Sequence, residues 1–338
     1  MPLVSVIVPC YREAAHIEAC LRSILAQETP EGGFEVLVVD GMSEDGTREI
    51  IQKIAGEDPR VRLLDNPQRF QSFAMNLGIR AALGQIVIRN NAHTEYAPNY
   101  IAQCIRVLEE TKGDNVGGPH LAKGDTYLQR GIAAAHHSPF AVGGALSHNL
   151  SYEGHVDTVI YGCWYKDTLL NIGLFDEGLV RNQDDELNFR LIQAGGKIWQ
   201  SPSIKSWYQP RSSLSGLFRQ YFQYGYWKVR VIQKHGRPAS WRHFAPGLFV
   251  AALLGNLAML PLFSRAALPL SILIIVYLGI SLASSVLAAK EAGWSLLPVM
   301  PVIFACYHIG YGLGFLRGLL DFMILRRQPP DYLKNPTR

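Results

Sequence analysis

The chain has 338 residues, 48% of them hydrophobic and 18% charged, and its formal net charge is +4. Soluble domains carry about 25% charged residues, so this chain is poor in charge, and it lacks the long basic runs that bind nucleic acid. The five cysteines have neither CxxC nor metal-finger spacing, which argues against a zinc finger or a disulfide scaffold and suits a reducing compartment.

Short apolar runs alternate with helical patterns through residues 4–89. We expect strands at 4–10, 34–40, 61–66 and 85–89, and helices at 17–25, 46–55 and 71–83. The first apolar run has no basic segment before it, so we predict no secretory signal and a cytosolic N-terminal part. Strands that alternate with helices indicate βαβ units, a parallel sheet and right-handed crossovers.

Polar residues follow each of the predicted strands. They are Pro9 to Glu13, Asp40 and Gly41, Asp65 and Asn66, and Asn90 to His93. Ligands of open α/β sheets bind at the carboxyl ends of the strands, whereas a loop that merely faces water is also polar. Neither GxGxxG nor GxxxxGKS/T follows the first strand, so we expect neither a dinucleotide-binding Rossmann site nor a P-loop.

An acidic segment, NQDDELNFR, begins a further helical pattern at residues 182–190. The helix is expected to start at ELNFR, which places Asp184 and Asp185 at its N-terminal edge. There the helix dipole stabilises negative charge, and an Asp can cap the helix. The functional alternative is a carboxylate that acts as a general base.

Charge nearly disappears from the C-terminal third of the chain. Residues 244–263 and 266–289 carry no charge, and residues 295–316 contain no Asp, Glu, Lys or Arg. A membrane span needs about 20 apolar residues, although a buried core helix has a similar composition. The expected organisation is a cytosolic α/β domain at 1–210, interfacial amphipathic helices at 211–243, a membrane domain of two or three helices at 244–325 and a basic tail at 326–338.

Basic residues flank the predicted membrane domain on both sides. They are Lys228, Arg230, Lys234, Arg237 and Arg242 before it, and Arg326, Arg327, Lys334 and Arg338 after it. Basic flanks belong on the cytosolic side, which conflicts with three complete spans and leaves the number of spans open. Gly310, Gly314 and Gly318 predict close helix packing, and this face could meet lipid or another helix of the chain.

The stretches VSVIVPCYRE, VLVVDGMSEDGT and NQDDELNFRLIQAGGKI together resemble the family 2 glycosyltransferases of the inverting GT-A type. The pattern is most similar to the bacterial glucosyltransferases of the succinoglycan-biosynthesis type, and the resemblance covers residues 1–235. It implies an α/β fold with a GT-A Rossmann-like, mostly parallel sheet and flanking helices, followed by C-terminal transmembrane helices.

The resemblance implies roles for residues at the strand ends. Pro9, Tyr11 and Glu13 would line the uridine site, Asp40 would accept a hydrogen bond from the uracil, and Arg69 would contact the diphosphate. The sequence therefore predicts a binding site for a UDP-sugar donor at this edge of the sheet.

Asp184 stands where the family carries its catalytic carboxylate. It would take the proton of an acceptor hydroxyl, which then attacks the anomeric carbon with inversion. The residues expected on the acceptor side are Asp185, Glu186, Asp157, Gln220 and Arg211. The Arg-Trp pair of the QxxRW motif in processive relatives is missing near Gln220, which favours one sugar per encounter. His136 and His137 are interpreted as part of a mobile loop near the acceptor.

The segment IVIRNNAHTE, residues 86–95, stands where the family binds a metal ion against the diphosphate. Asn91 replaces an Asp of the close relatives, and His93 keeps the second position. An amide oxygen is a poorer ligand for hard cations than a carboxylate, and imidazole suits Mn²⁺ better than Mg²⁺. We expect a weakened site for Mn²⁺ or Mg²⁺ at His93 and Asn91; the alternatives are other ligands, such as Glu95, or loss of activity.

Taken together, these features predict transfer of a hexose from a UDP-sugar, with UDP-glucose expected, to a polyprenyl-diphosphate-linked saccharide in surface polysaccharide synthesis. The enzyme would act at the inner (plasma) membrane with its catalytic domain in the cytosol. Its expected partners are the donor, the lipid-linked acceptor, membrane lipid and a second copy through the membrane helices, but no nucleic acid. Two alternatives stay open: a non-catalytic nucleotide-binding membrane subunit and a polyprenyl-phosphate hexosyltransferase.

Overall fold

A computed structural model describes residues 3–119 and 121–334. The chain divides into two compact units. The sheet unit comprises Met1–Leu121 and Leu146–Gln209, and the helical unit comprises Ala122–Ala145 and Pro210–Arg338. The sequence did not indicate that residues 122–145 group with the C-terminal part. The predicted domain boundaries otherwise stay a prediction, and the end of the predicted basic tail, residues 335–338, lies outside the described residues.

Strands alternate with helices in the first part of the sheet unit. The strands are β1 (Val4–Cys10), β2 (Phe34–Asp40), β3 (Val61–Asp65), β4 (Ile86–Arg89), β5 (Thr94–Tyr96), β6 (Asn115–Gly118), β7 (Leu121–Ala122), β8 (Gly154–His155), β9 (Ile160–Tyr165), β10 (Ile198–Gln200) and β11 (Ser206–Tyr208). The helices are α1 (Ile17–Leu25), α2 (Thr47–Glu57), α3 (Gln71–Ala81), α4 (Tyr100–Thr111), α7 (Lys166–Asn171) and α8 (Gln183–Gln193), while α5 (Tyr127–His136) and α6 (Pro139–Val142) belong to the helical unit. The strands and helices expected over residues 4–89 are confirmed, and α8 begins three residues earlier than expected.

The large sheet has the strand order β3-β2-β1-β4-β9-β6-β10-β8. β1 pairs in parallel with β2 and β4, and β2 pairs in parallel with β3, which confirms the parallel arrangement expected for the first half of the unit. β9 runs antiparallel to both β4 and β6, so the complete sheet is mixed. A smaller sheet joins β5, β11 and β7.

The central strand β1 is buried on both faces. Val6 and Val8 belong to one core, which also contains the apolar residues of α1 and α2. Ile7 belongs to a second core with Met75 of α3 and Leu187 of α8. Successive residues of a strand point to opposite faces, so a strand covered on both faces needs apolar residues throughout. This explains the continuous apolar run VSVIVPC.

The parallel strands β1 to β4 end at one edge of the large sheet. Three non-glycine residues in the loops that follow them have a left-handed backbone: Arg12 (φ 55°), Met42 (φ 61°) and Arg69 (φ 64°). Asn182, just before α8, has a φ of 60°. This conformation is uncommon for residues other than glycine, and it collects at functional sites. The loops at this edge therefore hold a specific geometry at some cost in free energy.

The remaining helices form the helical unit. They are α9 (Leu214–His235), α10 (Ala245–Met259), α11 (Ala267–Ala292), α12 (Met300–Gly318) and α13 (Asp331–Lys334), with a π-helical segment at Leu319–Ile324. By length and composition, Ala267–Ala292 and Met300–Ile324 could each cross a membrane, with mean hydropathies of 2.4 and 1.3. α10 has 15 residues, so at 1.5 Å per residue it is shorter than the hydrocarbon core of about 30 Å.

Gly310, Gly314 and Gly318 of α12 face α9. A Cβ on Gly314 would lie 1.9 Å from the carbonyl oxygen of Phe222, and one on Gly318 would lie 2.7 Å from that of Tyr226. The two backbones approach too closely for any side chain between them. Of the two possibilities left by the sequence, lipid or another helix of the chain, the structure shows the second for this face.

Where a mobile loop was expected around His136 and His137, in AAAHHSPFAVGG at residues 133–144, α5 continues to His136 and α6 covers Pro139–Val142. α5 begins with a capping box between Thr126 and Gln129, and Ile132 packs in the same core as Ile303 of α12. His136 is buried at the end of α5, so the loop interpretation is wrong for His136, whereas His137 and Ser138 lie in the turn between α5 and α6. The run IAAA after Gly131 favours a helix and packs against α12. These two effects outweigh the turn-like residues that follow.

Candidate active site

Five polar side chains connect β4, α3 and α8 at the carboxyl edge of the large sheet. Gln183 donates from Nε2 to Oε1 of Gln71 over 2.7 Å, and Gln71 donates from Nε2 to Oδ1 of Asn91 over 3.3 Å. Arg89 donates to Asn91 Oδ1 over 3.5 Å and to Asp184 Oδ2 over 3.4 Å. We call these five residues the polar chain. It brings the segment IVIRNNAHTE and the acidic start of α8 together, although they are far apart in sequence.

Asp184 lies in the first turn of α8, and its side chain is 40% exposed. The cap position belongs to Asn182, so Asp184 is not the capping residue. One carboxylate oxygen accepts the backbone N–H of Asp185 over 3.0 Å, and the other faces Arg89. A carboxylate that is open to solvent and oriented by a guanidinium has the access that a general base needs.

His93 and Asn91 are the predicted metal ligands. His93 Nδ1 lies 3.2 Å from Oε1 of the buried Glu13; the carboxylate accepts this hydrogen bond, which leaves His93 Nε2 as the atom for a metal. Asn91 Oδ1 already accepts from Gln71 and Arg89. No group of three His, Cys, Asp or Glu ligands occurs in the described part of the chain. His93 Nε2 is therefore the open ligand of the two, and Asn91 Oδ1 would have to give up one of its hydrogen bonds to join it. Such a site fits a cation that takes most of its ligands from a substrate.

Tyr11 packs between residues of two neighbouring loops. A Cβ on Gly41 would lie 3.0 Å from Cδ2 of Tyr11, so a side chain at position 41 would crowd this contact. The guanidinium carbon of Arg69 lies 5.6 Å from the centroid of the Tyr11 ring. Pro9 lies in β1 with a partly buried side chain. The structure therefore brings Tyr11 and Arg69 together, while their predicted roles at the uridine and the diphosphate stay predictions.

Asp40 is completely buried at the end of β2. Ser43 donates its hydroxyl to Asp40 over 2.6 Å, and Arg48 donates to the other oxygen over 2.9 Å. Arg48 also donates to Asp65 over 2.7 Å. These bonds make Asp40 a residue that shapes the β2–α2 loop, and its predicted contact with uracil stays a prediction. Asp65, with a 58% exposed side chain, is the accessible carboxylate of this group.

Glu186 differs from the other predicted acceptor-side residues in its burial. Its side chain is completely buried and pairs with Arg190 over 2.9 Å. Arg190 also donates to the carbonyl oxygens of Ile172 and Leu174. A side chain with no exposed surface cannot meet an acceptor, so the structure gives Glu186 a role in the fold and does not support the acceptor-side prediction.

The other predicted acceptor-side residues are divided between the units. Asp185 and Asp157 belong to the sheet unit and are partly buried. Arg211 and Gln220 belong to the helical unit, where Arg211 Nε donates to Gln220 Oε1 over 3.1 Å. Their acceptor-side roles stay predictions. Glu95, the alternative metal ligand, lies in β5 with an exposed side chain.

Five of the buried polar atoms that lack a partner among the described residues lie at the same edge of the sheet. Within residues 3–119 and 121–334, no hydrogen bond reaches Asn66 Oδ1, Arg89 Nε, Asn90 Oδ1 and Nδ2, or Gln183 Oε1. Buried polar atoms in folded proteins nearly always have a partner. The grouping of these atoms therefore indicates a place for a ligand or for ordered water.

Sequence reasoning missed several residues of this site. Arg89 ends the apolar strand IVIR, and a charged residue at the end of a buried strand was an available signal. Gln71 and Arg48 carried no comparable signal because they look like ordinary polar residues near helix N-termini. Their importance depends on partners that are distant in sequence.

Comparison with known proteins gives the class of this protein. The family model described as Glycosyl transferase family 2 matches residues 5–160. The succinoglycan biosynthesis protein ExoA of Rhizobium meliloti (strain 1021) is 32% identical over 321 residues, which cover 94% of this chain and 95% of the relative. The chain belongs to glycosyl transferase family 2, and it is a glycosyltransferase.

Further comparisons extend over nearly the whole chain. A dolichyl N-acetyl-alpha-D-glucosaminyl phosphate 3-beta-D-2,3-diacetamido-2,3-dideoxy-beta-D-glucuronosyltransferase of Methanococcus voltae is 28% identical over 329 residues, covering 95% of this chain and 98% of the relative. The structure of the mannosyltransferase PcManGT from Pyrobaculum calidifontis, in complex with GDP-Man and Mn²⁺, matches with a TM-score of 0.60 at 21% identity, covering 93% of this chain and 87% of that chain. The expected GT-A fold is confirmed.

Proposed function

We propose that this enzyme transfers a hexose, with inversion, from a UDP-sugar to a lipid-linked saccharide in the synthesis of a surface polysaccharide. UDP-glucose is the proposed donor, and a polyprenyl-diphosphate-linked saccharide is the proposed acceptor. The main support is the position of Asp184, a partly exposed carboxylate held by Arg89 at the carboxyl edge of the sheet. The adjacent Tyr11 and Arg69 support a nucleotide site at the same edge.

The names of two relatives support the proposed acceptor. One relative is a succinoglycan biosynthesis protein, and the other acts on a dolichyl-linked sugar phosphate. Each similarity covers at least 94% of this chain, so it includes the apolar helices as well as the sheet unit. A lipid-linked acceptor is consistent with both.

A single displacement accounts for the proposed inversion. The acceptor hydroxyl gives its proton to a carboxylate oxygen of Asp184, and the hydroxyl oxygen forms a bond to the anomeric carbon. The bond from that carbon to the diphosphate breaks, and its electron pair leaves with UDP. An α-linked donor therefore gives a β-linked product.

A divalent cation is part of the proposal. His93 and Asn91 would hold Mn²⁺ or Mg²⁺, which supplies positive charge to the diphosphate when bound. One imidazole and one neutral amide favour Mn²⁺ over Mg²⁺. We expect low metal affinity in the absence of donor, because the protein offers few ligands of its own.

The proposed place of action is the cytosolic face of the plasma membrane. Large apolar side chains of α11, such as Ile275 at 68% and Leu278 at 55% exposure, support association with a membrane. The basic residues on both sides of the apolar helices favour the cytosolic side for the flanking segments. This location would bring the active site to a lipid-linked acceptor.

The proposal is tested by measuring UDP release from a panel of UDP-sugars in detergent with lipid extract. The assay is run with Mn²⁺, with Mg²⁺ and with EDTA, for the wild type and for Asp184→Asn. Loss of the general base should lower turnover by about 10²–10⁴-fold with UDP binding retained. Asp167→Asn, an exposed Asp in the first turn of α7, is the matched control and should keep wild-type turnover.

Product analysis separates the proposal from its rivals. A hexose of β configuration on a polyprenyl-diphosphate saccharide, found by mass and NMR, is the expected product. A hexose on polyprenyl phosphate would instead indicate a polyprenyl-phosphate hexosyltransferase. UDP binding without transfer from any donor would indicate a non-catalytic subunit, and wild-type turnover in Asp184→Asn would remove Asp184 from the mechanism.

A further inference from the structure

We propose that Arg89 binds the diphosphate of the donor directly, and that the amide at position 91 keeps the positive charge of Arg89 available for it. This inference rests on the proposed function, because it assigns a second source of positive charge to the same donor site. It concerns a residue that the sequence alone did not single out.

The bonding of Arg89 is incomplete for a buried cation. Its side chain is 6% exposed, and its contacts to Asp184 and Asn91, at 3.4 and 3.5 Å, are both long for hydrogen bonds of a charged group. Nε has no partner in the described part of the chain. A guanidinium has five N–H donors, so most of the donors of Arg89 are free to meet a further acceptor.

The charge of Arg89 is also only partly compensated. Among the described residues, Asp184 is the carboxylate within ion-pair distance of Arg89. Residue 91 is an amide, so the oxygen 3.5 Å from Arg89 Nη2 carries no formal charge. A carboxylate at position 91 would pair with Arg89 and cancel its charge. An amide at position 91 in place of a carboxylate therefore has two effects. It weakens the metal site, and it leaves the positive charge of Arg89 uncancelled at the end of β4.

The guanidinium of Arg89 favours an anion with several oxygens. Its planar fork matches phosphate oxygens in geometry as well as in charge. A diphosphate can accept from the N–H groups of Arg89 that have no partner in the described part of the chain, including the buried Nε.

This position has a consequence for the reaction. When the bond between the anomeric carbon and the diphosphate breaks, the electron pair and the growing negative charge go to a diphosphate oxygen. A fixed cation there stabilises the leaving group more than the ground state. Arg89 also contacts Asp184, so the same guanidinium would orient the base and receive the leaving group.

The test compares the affinities for UDP and uridine, measured calorimetrically on the full-length protein in detergent with EDTA. The ratio of the two affinities reports what the diphosphate adds without a metal. We expect the wild type to bind UDP at least about tenfold more tightly than uridine, and Arg89→Gln to lose about tenfold of this ratio. Arg106→Gln, on the exposed surface of α4, is the control and should keep the wild-type ratio.

Asn91→Asp provides a second variant that changes charge with little change in shape. It should lower the ratio in EDTA, because the new carboxylate pairs with Arg89, and Mn²⁺ should restore it more strongly than in the wild type. A wild-type ratio in Arg89→Gln, or in Asn91→Asp with EDTA, would overturn the inference. If no UDP-sugar supports turnover, the proposed donor is rejected. The role of Arg89 would then be decided by the ratio of the affinities for GDP and guanosine.

Discussion

Charged residues of the sheet unit differ in how completely their bonds are satisfied. Arg190 pairs with Glu186 and donates to two main-chain carbonyls, and Arg60 bonds Asp58 and the carbonyl of Leu25. Arg89 has two long contacts and a buried N–H without a partner in the described residues. Arginines of the first kind stabilise the fold. The incomplete bonding of Arg89 marks it as a residue for a ligand.

The ion pair between Asp58 and Arg60 makes a pH-dependent contribution to stability. The hydrogen bond from Arg60 lowers the pKa of Asp58 below its ordinary value of 3.8. A carboxyl group with a lowered pKa in the folded state stabilises the protein above its unfolded pKa and loses that effect as the pH falls through the folded pKa. The side chains are 23% and 32% exposed, so the pair contributes at most about 1 kcal/mol.

We therefore expect Asp58→Asn to lower the unfolding temperature at neutral pH. The difference from the wild type should shrink as the pH falls through the ordinary value of 3.8 and disappear below the lower folded pKa. Thermal unfolding at a series of pH values checks this. Glu31→Gln, at an exposed position before β2, serves as the comparison, and an Asp58→Asn effect that is constant with pH would contradict the assignment.

At the scale of elements, the contact between α9 and α12 depends on glycine. Gly225 of α9 lies against the backbone of α12. A Cβ on Gly225 would be 2.0 Å from the carbonyl oxygen of Tyr311. Glycines on both helices thus remove side chains from the interface. Close backbone approach of this kind gives many weak contacts along the helices.

Gly314→Ala should destabilise this pair of helices. Its Cβ would lie 1.9 Å from the carbonyl oxygen of Phe222, so the helices must separate, at a cost of about 1–3 kcal/mol. Gly279→Ala in α11 is the matched control, because nothing lies within 4 Å of its added Cβ. Thermal unfolding in detergent should show a lower midpoint for Gly314→Ala only; equal midpoints would contradict the observed packing.

The sequence predicted those elements whose signal is local. The continuous apolar runs gave β1 and β2 with their observed bounds, because strands buried on both faces need apolar residues throughout. The antiparallel insertion of β9 between β4 and β6 was not predictable in this way, because strand pairing depends on contacts distant in sequence. The same reason hid the site residues Gln71 and Arg48, whereas Asp184 was found from its acidic segment and its family resemblance.

At the scale of the whole molecule, polar chemistry and apolar surface belong to different units. The polar chain lies within the sheet unit, whereas α10 and α11 of the helical unit expose large apolar side chains along their length. Leu248 is 67% exposed and Leu282 is 56% exposed. Exposed apolar surface of this extent marks a site of association, and membrane lipid is the partner that the proposed lipid-linked acceptor would require.

The double substitution Ile275→Lys and Leu278→Lys should release the protein from membranes. Each lysine near the centre of an inserted helix costs about 2.5–3.5 kcal/mol, whereas Gln52→Lys, on the exposed surface of α2, should have no effect. Sedimentation of membranes after an alkaline wash measures the retained fraction. Equal retention of both variants would show that α11 does not carry the membrane contact.

The packing of α9 on α12 also limits which sides of the helical unit lipid can reach. Phe218, Phe222 and Tyr226 meet successive glycines of α12, so the two helices run side by side in the same direction. α9 exposes Arg219 and Arg230, and guanidinium groups avoid hydrocarbon. Lipid chains therefore have access from the side of α10 and α11, whereas the arginines of α9 suit water or phosphate head groups. The helical unit thus has one side suited to hydrocarbon and another suited to a polar medium.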